Sequence, residues 1–483
     1  MTAMFTIQEA DPQQIQNVFA LQQATAIRWR ESTAEQRIAR LKSLRDAVLA
    51  HRDAFYQAFA KDYRKPSAEV DVTELMPVLD EIRHATGRLK QWMKPEKVKP
   101  TSLMLTTSAW IEYQPRGRVL IIAPWNYPLN LCFGPLVSAL AAGNTAIIKP
   151  SEMMPNVSAV MAKIIQETFT PQEVALFEGS LPTAEALLAL PFDHIFFTGS
   201  PMVGKVVMAA AAKNLTSVTL ELGGKSPTII DQSANLQVAA ETLMWGKFLN
   251  NGQTCVAPDH IYVHQAVKDA FVAECRKVIH ARYGATAGEQ KMNPDLTRIV
   301  NTRHTQRIAN LLNEAVELGA KITVGGQTDI ESCYIAPTIV ENIPTQAKIM
   351  SEEIFGPVLP IISFEHIDTV IAEINANPKP LALYIWSYNE ENIEKVVSRT
   401  SSGGVCINHC LMQFVHGNLP FGGVNNSGIG NSHGHFGFKA FSHERAVVKA
   451  SKLMMVRLFF PPYDESRRKV IKMTVDSMKW PML

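Results

Sequence analysis

Two short segments carry residues suited to covalent catalysis. Residues 221–227 read Glu-Leu-Gly-Gly-Lys-Ser-Pro, and residues 252–258 read Gly-Gln-Thr-Cys-Val-Ala-Pro. A thiol can attack an electrophilic carbonyl, and a nearby carboxylate can manage the proton or activate water. Cys255 is therefore the candidate nucleophile and Glu221 the candidate base. If the two side chains share one site, the protein is an enzyme of covalent catalysis.

Cys255 differs from the other five cysteines in its surroundings. Most cysteines are small buried hydrophobes, and we interpret the other five in that way. The polar, Gly-containing stretch Asn250–Thr254 instead predicts an exposed turn at the end of a helix. Because a free thiol is only a few per cent ionised at neutral pH, the site must lower the thiol pKa or supply a base.

The loop 124–128, Pro-Trp-Asn-Tyr-Pro, follows a short apolar run that predicts a buried strand. Two prolines fix this loop, and the Asn126 amide can donate a hydrogen bond to a developing oxyanion. The alternative is that Asn126 only caps the next helix.

Lys149-Pro-Ser-Glu152 follows a second apolar run that predicts a strand, where a carboxylate can accept hydrogen bonds from ribose hydroxyls. A solvated loop pair is the alternative for Lys149 and Glu152.

Two further segments carry weaker signals. In the segment 197–205, Gly199, Ser200 and Gly204 lie between a strand and a helix, where free backbone N–H groups favour phosphate. The spacing matches neither the usual dinucleotide fingerprint nor a P-loop, so a plain strand–helix turn remains open. In the segment 351–357, Glu353 and Phe355 could hold a second ribose and a flat ring, or could form only a turn.

The elements around these loops predict the α/β class. The chain is helical in pattern from about 11 to 92. Short apolar runs then alternate with helical segments, as expected for a doubly wound sheet, and the pattern resumes after 221. The runs that predict strands are 119–123, 145–149, 194–198, 228–230, 261–264 and 358–364. With 483 residues, the chain exceeds what one core supports, so we expect two large domains that meet near residue 220.

Composition argues against several functional classes. The net charge of +2, with dispersed Lys and Arg, gives no reason to expect nucleic acid as a partner. Six sparse cysteines fit a reducing compartment better than a disulfide framework. The sequence shows neither a signal peptide nor a stretch of about 20 apolar residues, so we expect a cytoplasmic protein. Cys406 and Cys410 lack a second ligand pair nearby, so no metal site is expected.

Taken together, the ordered motifs resemble those of the NAD(P)-dependent aldehyde dehydrogenase superfamily over nearly the whole chain. The short N-terminus, Pro-Trp-Asn-Tyr-Pro, Lys-Pro-Ser-Glu and the tail beyond about 450 make the chain most similar to the class 3 branch, which acts on fatty and coniferyl aldehydes. The resemblance implies two Rossmann-like domains and a small β oligomerisation arm.

The resemblance also implies roles for the catalytic residues. Cys255 matches the nucleophile, Glu221 the general base and Asn126 the oxyanion donor. Asn408 and the loop 419–423, Leu-Pro-Phe-Gly-Gly, match segments near the substrate.

The resemblance further implies a nucleotide site. Lys149 and Glu152 would hold the adenine ribose, while Glu353 and Phe355 would lie at the nicotinamide end. The pyrophosphate would lie over the turn and helix start formed by Gly199, Ser200 and Gly204. Because a carboxylate at position 152 disfavours a 2′-phosphate, we predict that NAD is preferred and that NADP is accepted as well.

The resemblance divides the chain into functional segments. Residues 1–97 and 115–220 would bind NAD(P), and residues 221–436 would form the catalytic domain. Residues 98–114 and 437–450 would form an arm exchanged between the two chains of a homodimer. The tail, residues 451–483, mixes apolar and basic residues. It would cover the substrate entrance, extend the dimer contact or touch a membrane weakly, and a packed surface segment is the plainer alternative.

These observations predict a particular reaction. A small-molecule aldehyde, medium- or long-chain or aromatic, would be oxidised to its acid through a thiohemiacetal and a thioester on Cys255, with Glu221 as the base for hydrolysis. One rival is an acylating enzyme that passes the acyl group to coenzyme A, although Glu221 favours water. The other rival is a non-catalytic relative with the same fold, which the set Asn126, Glu221 and Cys255 disfavours.

Overall fold

The computed structural model describes residues 9–101, 104–453 and 455–479. The helices of this part are α1 (Pro12–Trp29), α2 (Ala34–Ala50), α3 (Arg52–Tyr63), α4 (Ser67–Val70), α5 (Met76–Trp92), α6 (Pro128–Ala142), α7 (Pro155–Thr168), α8 (Leu181–Leu188), α9 (Pro201–Ala212), α10 (Leu236–Phe248), α11 (Lys268–Tyr283), α12 (Ala287–Met292), α13 (Thr302–Glu317), α14 (Lys348–Ser351), α15 (Ile367–Ala376), α16 (Glu390–Arg399), α17 (Met412–Val415), α18 (Gly434–Ala440) and α19 (Glu465–Ser477). The strands are β1 (Glu96–Val98), β2 (Thr107–Pro115), β3 (Arg118–Ile122), β4 (Thr145–Lys149), β5 (Val174–Leu176), β6 (His194–Gly199), β7 (Ser217–Leu222), β8 (Pro227–Ile230), β9 (His260–His264), β10 (Lys321–Val324), β11 (Thr328–Asp329), β12 (Tyr334–Ile335), β13 (Thr338–Glu341), β14 (Val358–Phe364), β15 (Ala382–Trp386), β16 (Gly404–Ile407), β17 (Gly428–Ile429) and β18 (Ser442–Ala450).

The N-terminal part is helical, as its apolar periodicity predicts. Helix α1 begins after Asp11, whose side chain accepts a hydrogen bond from the Gln13 N–H, and Pro12 suits the first helical position. Leu41, Leu44 and Val48 of α2 are fully buried, because their spacing places them on one face of the helix. A π-helical turn, Asp71–Leu75, joins α4 to α5.

A six-stranded sheet in the order β17-β7-β6-β3-β4-β5 forms the first half of the fold. Strands β3 to β7 pair in parallel, so their carboxyl ends lie at one edge. Val119 and Ile121 pack into the core on one face, and Leu120 and Ile122 pack into the core on the other. Burial on both faces explains the continuous apolar runs in the sequence. The chain passes from β3 outward to β4 and β5 and then crosses to β6, on the other side of β3, and this reversal of strand order creates the crevice where ligands bind in such sheets.

A seven-stranded sheet in the order β10-β13-β14-β9-β8-β15-β16 forms the second half. Its strands are parallel except for β10, which is antiparallel to β13. The predicted α/β class is therefore confirmed. The first sheet also includes β17, which was not predicted. This strand returns from the far end of the chain and pairs antiparallel with β7, placing Gly428 opposite Glu221.

A three-stranded antiparallel sheet in the order β1-β2-β18 projects from these units. Beyond it, helix α19 has no buried residue and packs mainly against the turn Met455–Phe459. The roles predicted for the tail stay predictions, and part of the tail lies outside the described residues. Among those described, no helix has both the length and the apolar character needed to cross a membrane.

Candidate active site

The segment before Cys255 is buried, so the predicted exposed turn is wrong. Asn250 and Asn251 follow α10 with φ near +51° and +52°, and both are inaccessible to solvent. Groups distant in sequence bind the two nitrogens of Asn250. Its N–H donates to Glu69 Oε1 at 2.8 Å, and its Nδ2 donates to the carbonyl oxygen of Asn126 at 2.8 Å. Gly252 is required there because a Cβ would collide with the carbonyl of Gly356.

Gln253 fixes the same segment from the other side. Its Nε2 donates to the Arg298 carbonyl oxygen at 3.1 Å, and its Oε1 accepts from the Val300 N–H at 2.9 Å. Buried polar side chains are tolerated when they are hydrogen-bonded in this way. The polar stretch therefore works as a rigid internal support for Cys255.

Asn126 lies against this support. Its Nδ2 donates to the Gln253 carbonyl oxygen at 3.0 Å, two residues before Cys255. Helix α6 has Tyr127 at its cap position and no side-chain cap, so the interpretation of Asn126 as a helix cap is wrong. An amide nitrogen has two N–H groups, so the second remains able to donate to an oxyanion.

Cys255 and Glu221 line one cavity. The cavity is otherwise largely apolar, and its walls include Leu131, Phe196, Leu222, Leu381, Phe414 and Phe421. Glu221 lies near the end of β7, where it accepts a hydrogen bond from Ser432 Oγ at 3.0 Å. Burial raises the pKa of Glu221 to about 8, and the Ser432 hydrogen bond opposes this rise. A carboxylate with this pKa is suited to take up a proton near neutral pH.

The thiol of Cys255 has a high pKa in this site. Burial raises the pKa to about 12, and the charges of Glu353 and Glu221 add to the effect. Burial therefore opposes the first of the two routes to a thiolate considered from the sequence, a lowered thiol pKa. The site instead offers two carboxylates as bases.

The structure places Lys149 and Glu152 together at the carboxyl end of β4. Lys149 is 5% exposed, and its Nζ lies 3.0 Å from Glu152 Oε2. The interpretation as a solvated pair is therefore wrong for the lysine. The Glu152 side chain is about one third exposed, which leaves the carboxylate accessible beside the sheet edge.

Gly199, Ser200 and Gly204 form the turn from β6 into α9. Ser200 caps the helix by accepting a hydrogen bond from the Val203 N–H. A Cβ on Gly204 would lie only 2.7 Å from Leu222 Cδ2, so glycine lets the helix pack closely on β7. The first turn of α9 also exposes apolar side chains, at Met202 and Val203.

Glu353 and Phe355 lie in a loop that three side chains hold in place. Asp259 Oδ1 accepts from the Ile354 N–H at 2.9 Å, Lys225 Nζ donates to the Glu352 carbonyl at 2.9 Å, and Arg307 donates to the Glu353 carbonyl at 3.1 Å. Burial, together with the charge of Asp259, raises the pKa of Glu353 to about 8. The Phe355 ring packs edge-on against Trp125, with 5.4 Å between centroids.

The candidate nucleotide residues have the chemistry that a dinucleotide needs, and Glu353 is the one among them that lines the crevice between the two large sheets. Pro201, at the start of α9, and Glu353 line one crevice between the two large sheets. The helix start offers free N–H groups to phosphates, the exposed apolar side chains of α9 offer a surface for a flat ring, and carboxylates stand at both ends. No group of three His, Cys, Asp or Glu side chains within the described ranges is placed to hold a metal.

Asn408 does not line the cavity. Its side-chain oxygen accepts from the Ser387 N–H at 3.0 Å, and its Nδ2 donates to the Ser387 carbonyl at 2.9 Å. The expectation that Asn408 lies near the substrate is therefore wrong. Its side chain instead links the segment after β16 to the residue that follows β15. Phe421, from the loop 419–423, does line the cavity.

Comparison with known proteins identifies the family. The model of the aldehyde dehydrogenase family matches residues 1–447. This chain belongs to that family. It is 46% identical to a Bacillus subtilis protein named "Putative aldehyde dehydrogenase AldX", over 90% of this chain and 97% of that protein. It is 40% identical to "Probable coniferyl aldehyde dehydrogenase" of Pseudomonas aeruginosa, over 95% of each chain.

The resemblance to class 3 is confirmed as well. Aldehyde dehydrogenase family 3 member A2 of Mus musculus is 41% identical over 89% of this chain and 88% of that protein. The solved structure of Staphylococcus aureus AldH with bound substrate is 40% identical, with a TM-score of 0.90, covering 95% of this chain and 99% of that one. The protein is therefore an NAD(P)-dependent aldehyde dehydrogenase. An NAD⁺ complex of the Bacillus cereus enzyme, 27% identical, has a TM-score of 0.83 and covers 92% of this chain and 90% of that one.

Some residues at the site escaped sequence analysis. Ser432, which binds Glu221, and Thr198, which lies opposite Glu221 on β6, both line the cavity. Asp259 and Arg307 hold the Glu353 loop. No local pattern marks these residues, since their positions depend on contacts between segments far apart in the chain.

Proposed function

We propose that this aldehyde dehydrogenase oxidises medium- or long-chain aliphatic aldehydes or aromatic aldehydes to carboxylic acids, through a thioester on Cys255 that water hydrolyses with Glu221 as base. The observation that carries the proposal is the common cavity of Cys255 and Glu221, whose other walls are mostly apolar. Covalent chemistry needs both groups to reach one carbon atom.

The first half of the reaction forms the covalent bond. Because burial and two carboxylates keep the thiol protonated, a proton moves to Glu353 or Glu221 as sulfur attacks the carbonyl carbon. The oxyanion of the thiohemiacetal accepts hydrogen bonds from the Asn126 amide and the Cys255 N–H. Collapse of the oxyanion re-forms the carbon–oxygen double bond and expels the hydrogen of that carbon as a hydride, which a bound nicotinamide would accept, so a thioester on Cys255 remains.

The second half releases the acid. Glu221 takes a proton from water as the water oxygen bonds to the thioester carbon. The carbon–sulfur bond then breaks, and the sulfur of Cys255 leaves. Glu221 performs this step only when ionised, so its pKa of about 8 predicts hydrolysis that becomes faster between neutral and mildly alkaline pH.

The substrate class follows from the cavity and its opening. The inner cavity shares Glu81, Asn130 and Phe414 with a wider groove that opens at the surface. Val72 and Val415 expose apolar surface in that groove. An extended apolar tail would remain in contact with apolar walls from the sulfur outward, which favours long or aromatic aldehydes.

One assay tests this function against both rivals. We expect NADH to form with aliphatic and aromatic aldehydes, with the free acid as product and catalytic efficiency rising with chain length. A strict requirement for coenzyme A would identify an acylating enzyme instead. Absence of NADH formation across the panel of aldehydes would support a non-catalytic relative.

We predict that Glu152 sets the cofactor preference. Its carboxylate lies beside the sheet edge, where it would repel a 2′-phosphate. Replacing it by the neutral Glu152→Gln is expected to raise kcat/KM with NADP relative to NAD about tenfold. The exposed Glu185 on α8 provides a matched control, Glu185→Gln. An unchanged NADP to NAD ratio in the Glu152 variant would contradict the assignment.

We propose a homodimer formed through the arm. Strand β18 is an outer strand of its sheet, so its free edge can pair with a second chain. Val448 on this strand is 64% exposed. Val448→Lys is expected to weaken the dimer at least about tenfold, whereas Val397→Lys, on an exposed helix face elsewhere, leaves it intact.

Light scattering during size-exclusion chromatography measures this effect. The unchanged protein should elute with twice the mass of the 53.5 kDa chain. A mass equal to one chain at all concentrations would overturn the dimer.

We also propose a cytoplasmic location, since all six cysteines are free and suit a reducing compartment.

A further inference from the structure

Ser432 is held in a fixed position beside Glu221. Its N–H donates to the Phe421 carbonyl at 2.6 Å, and the Phe421 N–H donates back to the Ser432 carbonyl at 3.4 Å. This backbone pair is an isolated β-bridge, and the Ser432 hydroxyl also lies 3.3 Å from the same Phe421 carbonyl oxygen, farther than it lies from Glu221. Ser432 is 9% exposed, and its hydroxyl donates to Glu221 Oε1 at 3.0 Å. The backbone thus aims the hydroxyl at the carboxylate.

The two oxygens of Glu221 differ in their surroundings. Oε1 accepts the Ser432 hydrogen bond, whereas Oε2 is buried without a partner among the described protein atoms. The Thr198 hydroxyl, directly opposite on β6, is likewise buried, unpartnered and part of the cavity wall. One oxygen is therefore anchored, whereas the other has unused lone pairs, and a water molecule must enter the cavity beside Oε2 before it can give up a proton there.

We propose that Ser432 is a positioning residue for the hydrolytic step: its hydroxyl anchors Oε1 of Glu221, so that Oε2 receives the proton of the attacking water. This inference rests on the proposed function of Glu221. The water oxygen bonds to the thioester carbon, its proton passes to Oε2, and the carbon–sulfur bond breaks. Ser432 keeps its own proton throughout and acts only through Glu221.

The hydroxyl also influences the charge of Glu221. A hydrogen bond donated to a carboxylate stabilises its ionised form, so this bond lowers the pKa that burial raises. Loss of the hydroxyl therefore leaves Glu221 protonated to a higher pH. At neutral pH, fewer molecules would then have an active base.

Other titratable groups lie near Glu221, and their effects on the kcat–pH profile must be distinguished from the effect of Glu221. Cys255, Glu81 and His433 line the cavity. His433 Nδ1 lies 3.7 Å from Glu81, whose other oxygen accepts from the Gly434 N–H at 2.7 Å. His194 lies on the neighbouring strand β6 and is buried, which lowers its pKa to about 3 and keeps it neutral.

The test compares Ser432→Ala, which lacks the hydroxyl, with Ser432→Thr, which retains one. Ser432→Ala is expected to move the midpoint of the kcat–pH profile upward by about one unit and to lower kcat at pH 7 about tenfold. The activity should return at high pH, with KM values for aldehyde and NAD within about twofold of the parent. Ser432→Thr should restore the parent midpoint.

Two controls identify the group that titrates. Ser427→Ala removes a hydroxyl that bonds only the backbone of Val424, so its midpoint should match the parent. Adding Ser432→Ala to a His433→Asn background should produce the same upward shift, because His433 does not contact the Ser432 hydroxyl. A shift that disappears in this background would overturn the assignment to Glu221.

The remaining outcomes separate this inference from the proposed function. If Glu221→Gln stalls turnover but Ser432→Ala keeps the parent midpoint, the positioning role is wrong and the function of Glu221 stands. Equal loss of rate at every pH in Ser432→Ala would also overturn it, since that pattern indicates structural damage. If Glu221→Gln keeps full turnover, both assignments are wrong.

Discussion

Cys255→Ala is expected to lower kcat by about 10⁴-fold or more while NAD binding stays unchanged. Loss of the nucleophile removes the thiol that forms the covalent bond, and comparable losses follow removal of a catalytic serine. The nucleotide crevice is lined by other residues, among them Pro201 and Glu353, so the cofactor should still bind. NADH formation and NAD titration by fluorescence measure the two properties separately.

The matched control for this prediction is Cys333→Ala. Cys333 is also a free, partly buried cysteine, but it does not line the cavity of Glu221. This variant should keep the parent rate within about twofold. Dehydrogenase activity retained by Cys255→Ala would show that the nucleophile assignment is wrong, whereas equal losses in both variants would indicate a general effect on the fold.

Local motifs explain why much of this site could be predicted from the sequence. Cys255, Glu221 and Asn126 each occur in a short segment whose residue types suit their chemistry, and each segment lies near the end of a predictable strand or helix. Parallel strands bring the ends of β3 and β7, near which Asn126 and Glu221 lie, to one edge of the first sheet. The position of Glu221 near this edge was therefore within reach of sequence analysis. Cys255 follows α10 and precedes β9 of the second sheet, so no shared sheet edge predicts that it meets Glu221.

Burial was the property that local patterns predicted poorly. The stretch 250–254 is polar, and polar stretches are usually solvated. Here Asn250 binds Glu69 and Asn126, and Gln253 binds Arg298 and Val300, so hydrogen bonds inside the protein replace much of the water that the segment would otherwise bind. These partners are far away in sequence, and nothing near residue 250 indicates them.

The return of the chain to the first sheet was also missed. Strand β17 has only two residues, too few to give a periodic signal, yet it brings the segment after it against β7. Ser432 reaches Glu221 in this way. The buried environment of Glu221, and hence its raised pKa, depends on this long-range contact and could not be derived from the motif around residue 221.

Glu221→Gln is expected to release one NADH per active site rapidly and then to turn over about 10²–10⁴-fold more slowly than the parent. Glutamine keeps the shape of the side chain but cannot take a proton from water. Removing the charge of Glu221 also removes one of the groups that raise the pKa of Cys255, so attack on the aldehyde should persist with Glu353 as the remaining carboxylate. The thioester should therefore accumulate on Cys255.

Rapid-mixing absorbance and mass spectrometry of the intact protein measure the burst and the acyl group. In the parent, kcat should rise with pH through a midpoint near 8, because Glu221 is inactive below its pKa and ionised above it. The variant should lack this rise, since glutamine does not titrate. Glu185→Gln serves as the control and should retain both the parent rate and its pH profile. An unaltered steady-state rate in Glu221→Gln, or a burst without any acyl group on Cys255, would assign the hydrolytic base to another residue. Glu353 is the first residue to examine, because its charge also raises the pKa of the Cys255 thiol and its own pKa is raised to about 8.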